Sequence, residues 1–310
     1  MPPNARDTTT RNKLQPSTLA LVEVYYPQLL RERILKCCRA QLAGNYTRTC
    51  RHALCPACCS IESYKIAKAQ YLRFQSCTPP GKNPRLAHEV YTLPPYLRDR
   101  VKTREGFRAW AEATRTTIRE IHDAPVAGVM NLHPIGDEDI LTFHPHWDVV
   151  LNGYKLSESG RPTVHRPRHI HYDDARAIYT RHLVKAFSLL PIEEPRAVSI
   201  YLDRKDGTFH ASKRKTWHMV RYSARHIYQP QFAWLNDHGE GGDWWYKPHK
   251  KAGSATAYEG REVMRHLLAQ QAFLRQYKRR LWFGYMQNRL VNQSAARFAA
   301  MPRPAGGENP

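Results

Sequence analysis

The sequence predicts an α+β fold: a central, mainly antiparallel sheet with flanking helices, and a cysteine-rich segment ahead of it. Three observations carry this. Short β-rich runs come in pairs joined by polar turns, helix-period segments separate the pairs, and six of the seven cysteines crowd between Cys37 and Cys59.

Taken in order, residues 1–17 are polar, and the tail is placed at 1–28. Residues 29–80 form the cysteine-rich segment, closed by the Pro- and Gly-rich linker 78–84. The main domain is placed at 84–230. It begins with a strand at 87–93, stopped by Pro94-Pro95, and a helix at 105–122 whose Phe107, Trp110, Ala111, Thr114 and Ile118 share one side. Strands at 126–135 and 140–151 flank the polar loop 136–139, a hairpin pattern. A helix at 173–190 has Asp173 and Asp174 suited to cap it. Runs at 197–202 and 208–211 flank Asp206-Gly207 and predict a second hairpin. A helix at 216–228 stops before Pro230. The region 231–300 reads as irregular to 260, then as a basic helix at 262–280 followed by an aromatic run, with a tail at 301–310.

Composition excludes several classes. The chain of 310 residues is 42% hydrophobic and 11% aromatic, which is globular composition. No apolar run approaches the ~18–20 residues of a membrane span. The N-terminus lacks an apolar signal core, so secretion is not expected. An odd, clustered set of cysteines argues for a metal site in a reducing compartment rather than a disulfide framework. There is no Gly-rich phosphate loop, so no ATPase is expected. With 48 Lys+Arg against 27 Asp+Glu, the formal charge of +21 calls for a polyanion, nucleic acid first and an anionic membrane surface second.

Three segments carry chemistry. Cys50-x4-Cys55-Pro56-Ala57-Cys58 supplies three thiols on a tight turn, and Cys37 or Cys38 lies at the distance of a second knuckle. Four thiolates make a closed zinc site able to fold a segment poor in apolar residues. Cys59 and His52 compete for the fourth position, and buried free cysteines are the alternative. Cys77 reads as an ordinary thiol. The following segment, 60–74, carries Lys65, Lys68 and Arg73 on a helical pattern, either along phosphates or as a solvated face.

In Phe143-His144-Pro145-His146-Trp147-Asp148-Val149-Val150-Leu151, strand alternation projects His144, His146 and Asp148 together and sends Trp147, Val149 and Leu151 to the other face. An imidazole and a carboxylate two residues apart can grip one divalent ion, with His133 on the hairpin partner as third ligand. A hydrogen-bonded structural pair is the competing reading. In helix 216–228, Trp217, Val220, Ala224 and Ile227 form an apolar stripe, while His218, Tyr222 and Arg225 recur on a separate face. A tyrosine hydroxyl can attack a phosphodiester when a metal polarises the phosphate, and Arg225 would favour the phenolate. A packing role is the alternative for Tyr222. Trp234, Trp244, Trp245 and Tyr246 either stack on unpaired bases or pack.

These pieces occur in one order that resembles the HUH endonucleases, in particular rolling-circle plasmid replication initiators and the related insertion-sequence transposases. CRHALCPACC (Cys50 to Cys59) resembles the family's cysteine-rich motif, FHPHWDVVL (Phe143 to Leu151) its His-hydrophobic-His strand, and VRYSAR (Val220 to Arg225) its Tyr-x-x-Lys motif. LWFGYMQNR (Leu281 to Arg289) is similar to a segment near the end of the transposase group. The chain departs from the pattern in carrying Asp148 for the second histidine, Arg225 for the lysine and His218 where a Glu or second Tyr stands. It also has His133 where many initiators have a metal-binding Glu.

The resemblance implies an antiparallel HUH-nuclease sheet and a metal-dependent single-strand DNA endonuclease and strand transferase that initiates rolling-circle replication. Tyr222 would be the nucleophile, with Arg225 and His218 assisting it. His146, Asp148 and His133 would hold Mn2+ or Mg2+, and Cys50, Cys55, Cys58 and one of Cys37 or Cys38 would hold Zn2+. Expected partners are single-stranded and replication-origin DNA and a host replication helicase or polymerase, with no membrane. The expected setting is the cytoplasm of a prokaryotic cell, with the gene on a plasmid or virus. A single-tyrosine transposase and a non-catalytic zinc-ribbon nucleic-acid-binding protein are the alternatives.

Overall fold

Pairing around one long strand organises the molecule. In the structure, a computed structural model, the described residues are 17–45, 50–52, 54–122, 126–135, 141–157, 162–165, 170–188, 199–203, 209–224, 244–248, 255–274 and 280–287. Strands β1 (Leu86–Thr92), β2 (Gly128–Ile135) and β3 (Phe143–Asn152) form the centre of a five-stranded sheet, with β3 in the middle. β6 (Ile200–Asp203) and β9 (Arg280–Phe283) are its edges, in the order β6-β1-β3-β2-β9, and every pairing is antiparallel. β2 and β3 pair as the hairpin pattern predicts. Because β3 has a strand on each side and helices over both faces, every residue from Pro145 to Asn152 is buried.

The alternation of β3 sorts its side chains onto two different layers. On the back face, Trp147 packs against Phe107 and Trp110 of α4 (Arg104–His122), at ring distances of 5.5 and 5.0 Å. The five α4 residues marked by the helical period are all buried. Tyr91 of β1 meets Tyr179 of α5 (Tyr172–Phe187) edge-on at 5.2 Å, and the Trp110 indole donates to the Tyr179 hydroxyl at 2.9 Å. Asp173 and Asp174 lie in the first turn of α5, where they favour the helix dipole but do not cap it. On the front face, α3 (Pro56–Ser76) and α6 (Lys213–Ser223) cross the sheet. Tyr71, Phe74, Trp217 and Val220 there share a core with Val129 and Val150.

The structure departs from the sequence reading elsewhere as well. Residues 17–25, assigned to the tail, form α1 (Ser17–Tyr25), and α2 (Gln28–Leu42) follows directly. Val22 and Tyr26 are buried there, so this segment contributes apolar surface to the core. The second hairpin does not form among the described residues. β6 and His210 both pair with β1, and His210 exchanges two backbone hydrogen bonds with Leu86, at 2.9 and 2.8 Å. The open edge of β1 outcompetes a local turn because it offers unpaired donors and acceptors already held in register.

α6 begins at Lys213 rather than Thr216, because Ser212 caps it by accepting from the Lys215 amide at 3.2 Å. The described part of the last helix is α7 (Gly260–Leu274), and Arg280, predicted at its end, belongs to strand β9. The segment read as irregular contains a hairpin of β7 (Trp244–Pro248) and β8 (Ala255–Glu259). A small hairpin of β4 (Tyr154–Leu156) and β5 (Pro162–Val164) follows β3. No described helix is long and apolar enough to cross a membrane.

Candidate active site

The cysteine cluster is assembled from two helices and the turn between them. α2 presents Cys37, and the chain then bends at Arg51, in the left-handed region at φ 56°, so that Cys50 and Cys55 face it. Cys58 follows in the first turn of α3. Cys37, Cys50, Cys55 and Cys58 offer sulfurs all within 4.8 Å of one another, and Cys58 lies 3.5 Å from both Cys37 and Cys50. Tyr26 donates to the Leu54 carbonyl and Arg33 to the Cys50 carbonyl, each at 2.6 Å, which braces the turn from outside.

Four thiols this close share protons unequally. Hydrogen bonds from Cys37 and Cys55 draw Cys50 down to about 7, whereas its neighbours, Cys37 foremost, push Cys55 up. A doubly charged ion in their midst removes that conflict by stabilising all four as thiolates. Of the two upstream alternatives, Cys37 joins the group and Cys38 stays outside it, beside Cys55. Cys59 is buried outside the quartet. The His52 ring accepts from the Leu54 amide at 3.2 Å, and it too lies outside the group. Cys77 is buried elsewhere, and burial raises its thiol.

On the front face of the sheet, His146 and Asp148 of β3 lie opposite His133 and Asn131 of β2, respectively. Ligand atoms of His133, His146 and Asp148 are all within 4.8 Å of one another. His133 Nε2 is 3.2 Å from one Asp148 oxygen, and His88 Nε2 of β1 is 3.3 Å from the other. The His133 and His146 rings stack at 5.3 Å. His146 Nδ1–H donates to the His144 carbonyl at 3.1 Å, which leaves Nε2 with its lone pair for a ligand. His133 Nε2 lies 2.9 Å from the Ser223 carbonyl, so it carries a proton there and would exchange that bond for an ion on ligation.

Burial by itself would raise the Asp148 carboxyl. His133, the His88 hydrogen bond and His146 outweigh it and hold the group well below the usual carboxylate range. Burial, with the charges of Arg98 and His146, lowers His144 to about 4, so it is neutral at pH 7. A buried carboxylate among neutral-capable imidazoles is a donor set that fits a divalent cation.

Tyr222 stands over this centre, in the last turn of α6. Its ring is 5.6 Å from His88 and 6.4 Å from His218, and 36% of the residue remains exposed. His218 is exposed on the same helix. Arg225 and the rival Tyr228 lie outside the described residues. Tyr179 is buried on the back face against Trp110, across the sheet from Asp148.

Ser223, next to Tyr222, anchors the helix end. Its hydroxyl donates to the Asp148 carbonyl at 3.2 Å and accepts from Asn131 at 2.7 Å, and Gln70 of α3 donates to Asn131 at 2.8 Å. Asn131→Leu keeps the branched skeleton of heavy atoms but leaves Gln70 and Ser223 without this partner. Urea unfolding should show a loss of roughly 1–3 kcal/mol, the cost of a buried polar group left unsatisfied. Unchanged stability would mean that the chain of bonds is incidental.

The sequence reading missed His88. Its strand was legible, but only the placement of β1 beside β3, with Val90 opposite Asp148, puts His88 on the same face as the carboxylate. Of the basic residues on α3, Lys65 and Lys68 are exposed, whereas Arg73 is buried with its guanidinium 3.8 Å over the Trp282 ring. Arg73 therefore packs against the edge strand and does not belong to a solvated basic face. Comparison of the chain with protein-family models, curated proteins and solved structures finds no match.

Proposed function

We propose that this chain is a metal-dependent single-strand DNA endonuclease and strand transferase of the HUH type, which initiates rolling-circle replication. The observation that carries the reading is the placement of Tyr222, part-exposed on a helix end, over a buried carboxylate ringed by His88, His133 and His146. A bound Mn2+ or Mg2+ supplies Lewis-acid polarisation of the scissile phosphate. The imidazole content of the set favours Mn2+ of the two, since Mg2+ prefers oxygen ligands.

The Tyr222 phenolate oxygen attacks phosphorus and the P–O3′ bond breaks. This leaves a 5′-phosphotyrosyl link and a 3′-hydroxyl able to prime synthesis. Ser223, held by Asn131 and Asp148, fixes the helix turn that carries the phenol. His218 and Arg225 are assigned to tuning the phenol and the later transfer step. The cysteine quartet is assigned to zinc. Thiolates at Zn–S distances of about 2.3 Å sit roughly 3.8 Å apart, close to the spacing seen here.

The test is incubation with a single-stranded origin fragment and Mn2+. A denaturation-resistant protein–DNA adduct that requires the metal is expected, and its absence under saturating DNA would leave a pure binding protein. Binding should also weaken steeply with salt. Six phosphate contacts to a single strand give a log–log slope of about −0.7 × 6, roughly −4. A slope near zero would detach the +21 charge from DNA binding.

A further inference from the structure

We propose that Tyr201 is a stacking platform for one unpaired nucleobase, next to the phosphate that Tyr222 attacks; the assignment rests on the nucleic-acid reading above. β6 places Tyr201 opposite Val90, and Val90 lies opposite Asp148, so all three side chains rise on the front face along one row of the sheet. The Tyr201 ring is 6.3 Å from His88, and Tyr222 lies on His88 as well, at 5.6 Å. Tyr201 and Tyr222 make no ring contact with each other. His88 is therefore the ring that both tyrosines touch.

The edge-on contact with His88 uses only part of the Tyr201 ring. Tyr201 is 56% exposed, and its hydroxyl makes no hydrogen bond among the described residues. Its neighbour Ile200 points into the core, so a polar residue at 201 would serve the strand equally well. β6 is an edge of the sheet among the described residues. A large flat ring in water, beside a phosphate-handling centre in a chain of charge +21, matches the face of a base better than any other partner.

The test compares Tyr201→Ala and Tyr201→Phe in the full chain, by fluorescence anisotropy with a labelled single strand and with the same sequence as duplex, without added Mn2+. Tyr201→Ala is expected to weaken single-strand binding about 5- to 150-fold, the range one base–aromatic stack supports, and to leave duplex binding unchanged. Tyr201→Phe keeps the ring and should bind like wild type. Equal binding by wild type and Tyr201→Ala overturns the assignment, as does an equal loss in Tyr201→Phe.

Adduct formation with Mn2+ is scored separately. A normal wild-type adduct with no binding loss in Tyr201→Ala rejects the stacking role alone. A binding loss in Tyr201→Ala with no wild-type adduct supports the stacking role and rejects the nuclease reading. Loss of the adduct in Tyr201→Phe with affinity intact would support the stacking role and assign the phenol to the chemistry as well.

Discussion

Tyr222→Phe should abolish the covalent protein–DNA adduct while leaving fold, metal content and single-strand affinity as in wild type. The substitution removes one oxygen from a ring that is partly in water and meets His88 and His218 at ring distances of 5.6 and 6.4 Å. No phenol then remains over the centre to attack phosphorus. The nearby alternatives are poor. Tyr179 lies across the sheet, and the Tyr201 ring is farther from His88, at 6.3 Å. Asp148→Ala should also abolish cleavage, but by a different route. It removes the carboxylate that pairs with both His88 and His133, so affinity for the ion falls and excess Mn2+ partly restores activity. An adduct formed by Tyr222→Phe as fast as by wild type would move the assignment to another tyrosine, with Tyr201 and Tyr228 tried first.

The second large effect is expected at the cysteine quartet. Wild type should carry one Zn2+ per chain, and Cys58→Ala should lose it together with the folded state of the cysteine segment. Binding to a structural zinc site is worth about 10–16 kcal/mol in small zinc domains, more than the margin of a typical fold. The damage should spread, because Cys58 lies in the first turn of α3 and Gln70 of the same helix supports Asn131 and Ser223 next to Tyr222. Metal analysis and thermal unfolding measure both consequences. Cys77→Ala and Cys38→Ala serve as controls and should keep the metal, since neither sulfur belongs to the quartet. Folded, soluble wild-type protein without zinc would remove the claim.

Much of this architecture is written in local pattern. Side-chain alternation is a property of the extended chain itself, so a single strand sequence suffices to put His146 and Asp148 on one face and Trp147 on the other. The helical period of residues 105–122 likewise marks the face that α4 buries, because 3.6 residues per turn is set by backbone hydrogen bonding. The spacing of Cys50, Cys55 and Cys58 marks three thiols for one turn, which Tyr26 and Arg33 brace from α2 and the residues just before it.

The remaining features depend on partners far away in sequence. Cys37 and Cys38 are consecutive on α2, about 100° apart around its axis, and only the packing of α2 against the Cys50 turn selects Cys37. His88 and Tyr201 acquire meaning from strand order, because β1 and β6 could have joined the sheet at other edges without altering their own patterns. Arg280 reads as the end of a basic helix and Leu281–Phe283 as an aromatic run, and together they become a strand because the outer edge of β2 offers them hydrogen bonds. The sequence by itself determined the charge, the cysteine turn and the two faces of β3. The tertiary structure decided which strands flank β3 and which tyrosine stands over Asp148, because strand pairing and helix docking are chosen by long-range burial and hydrogen bonding that no short stretch of chain encodes.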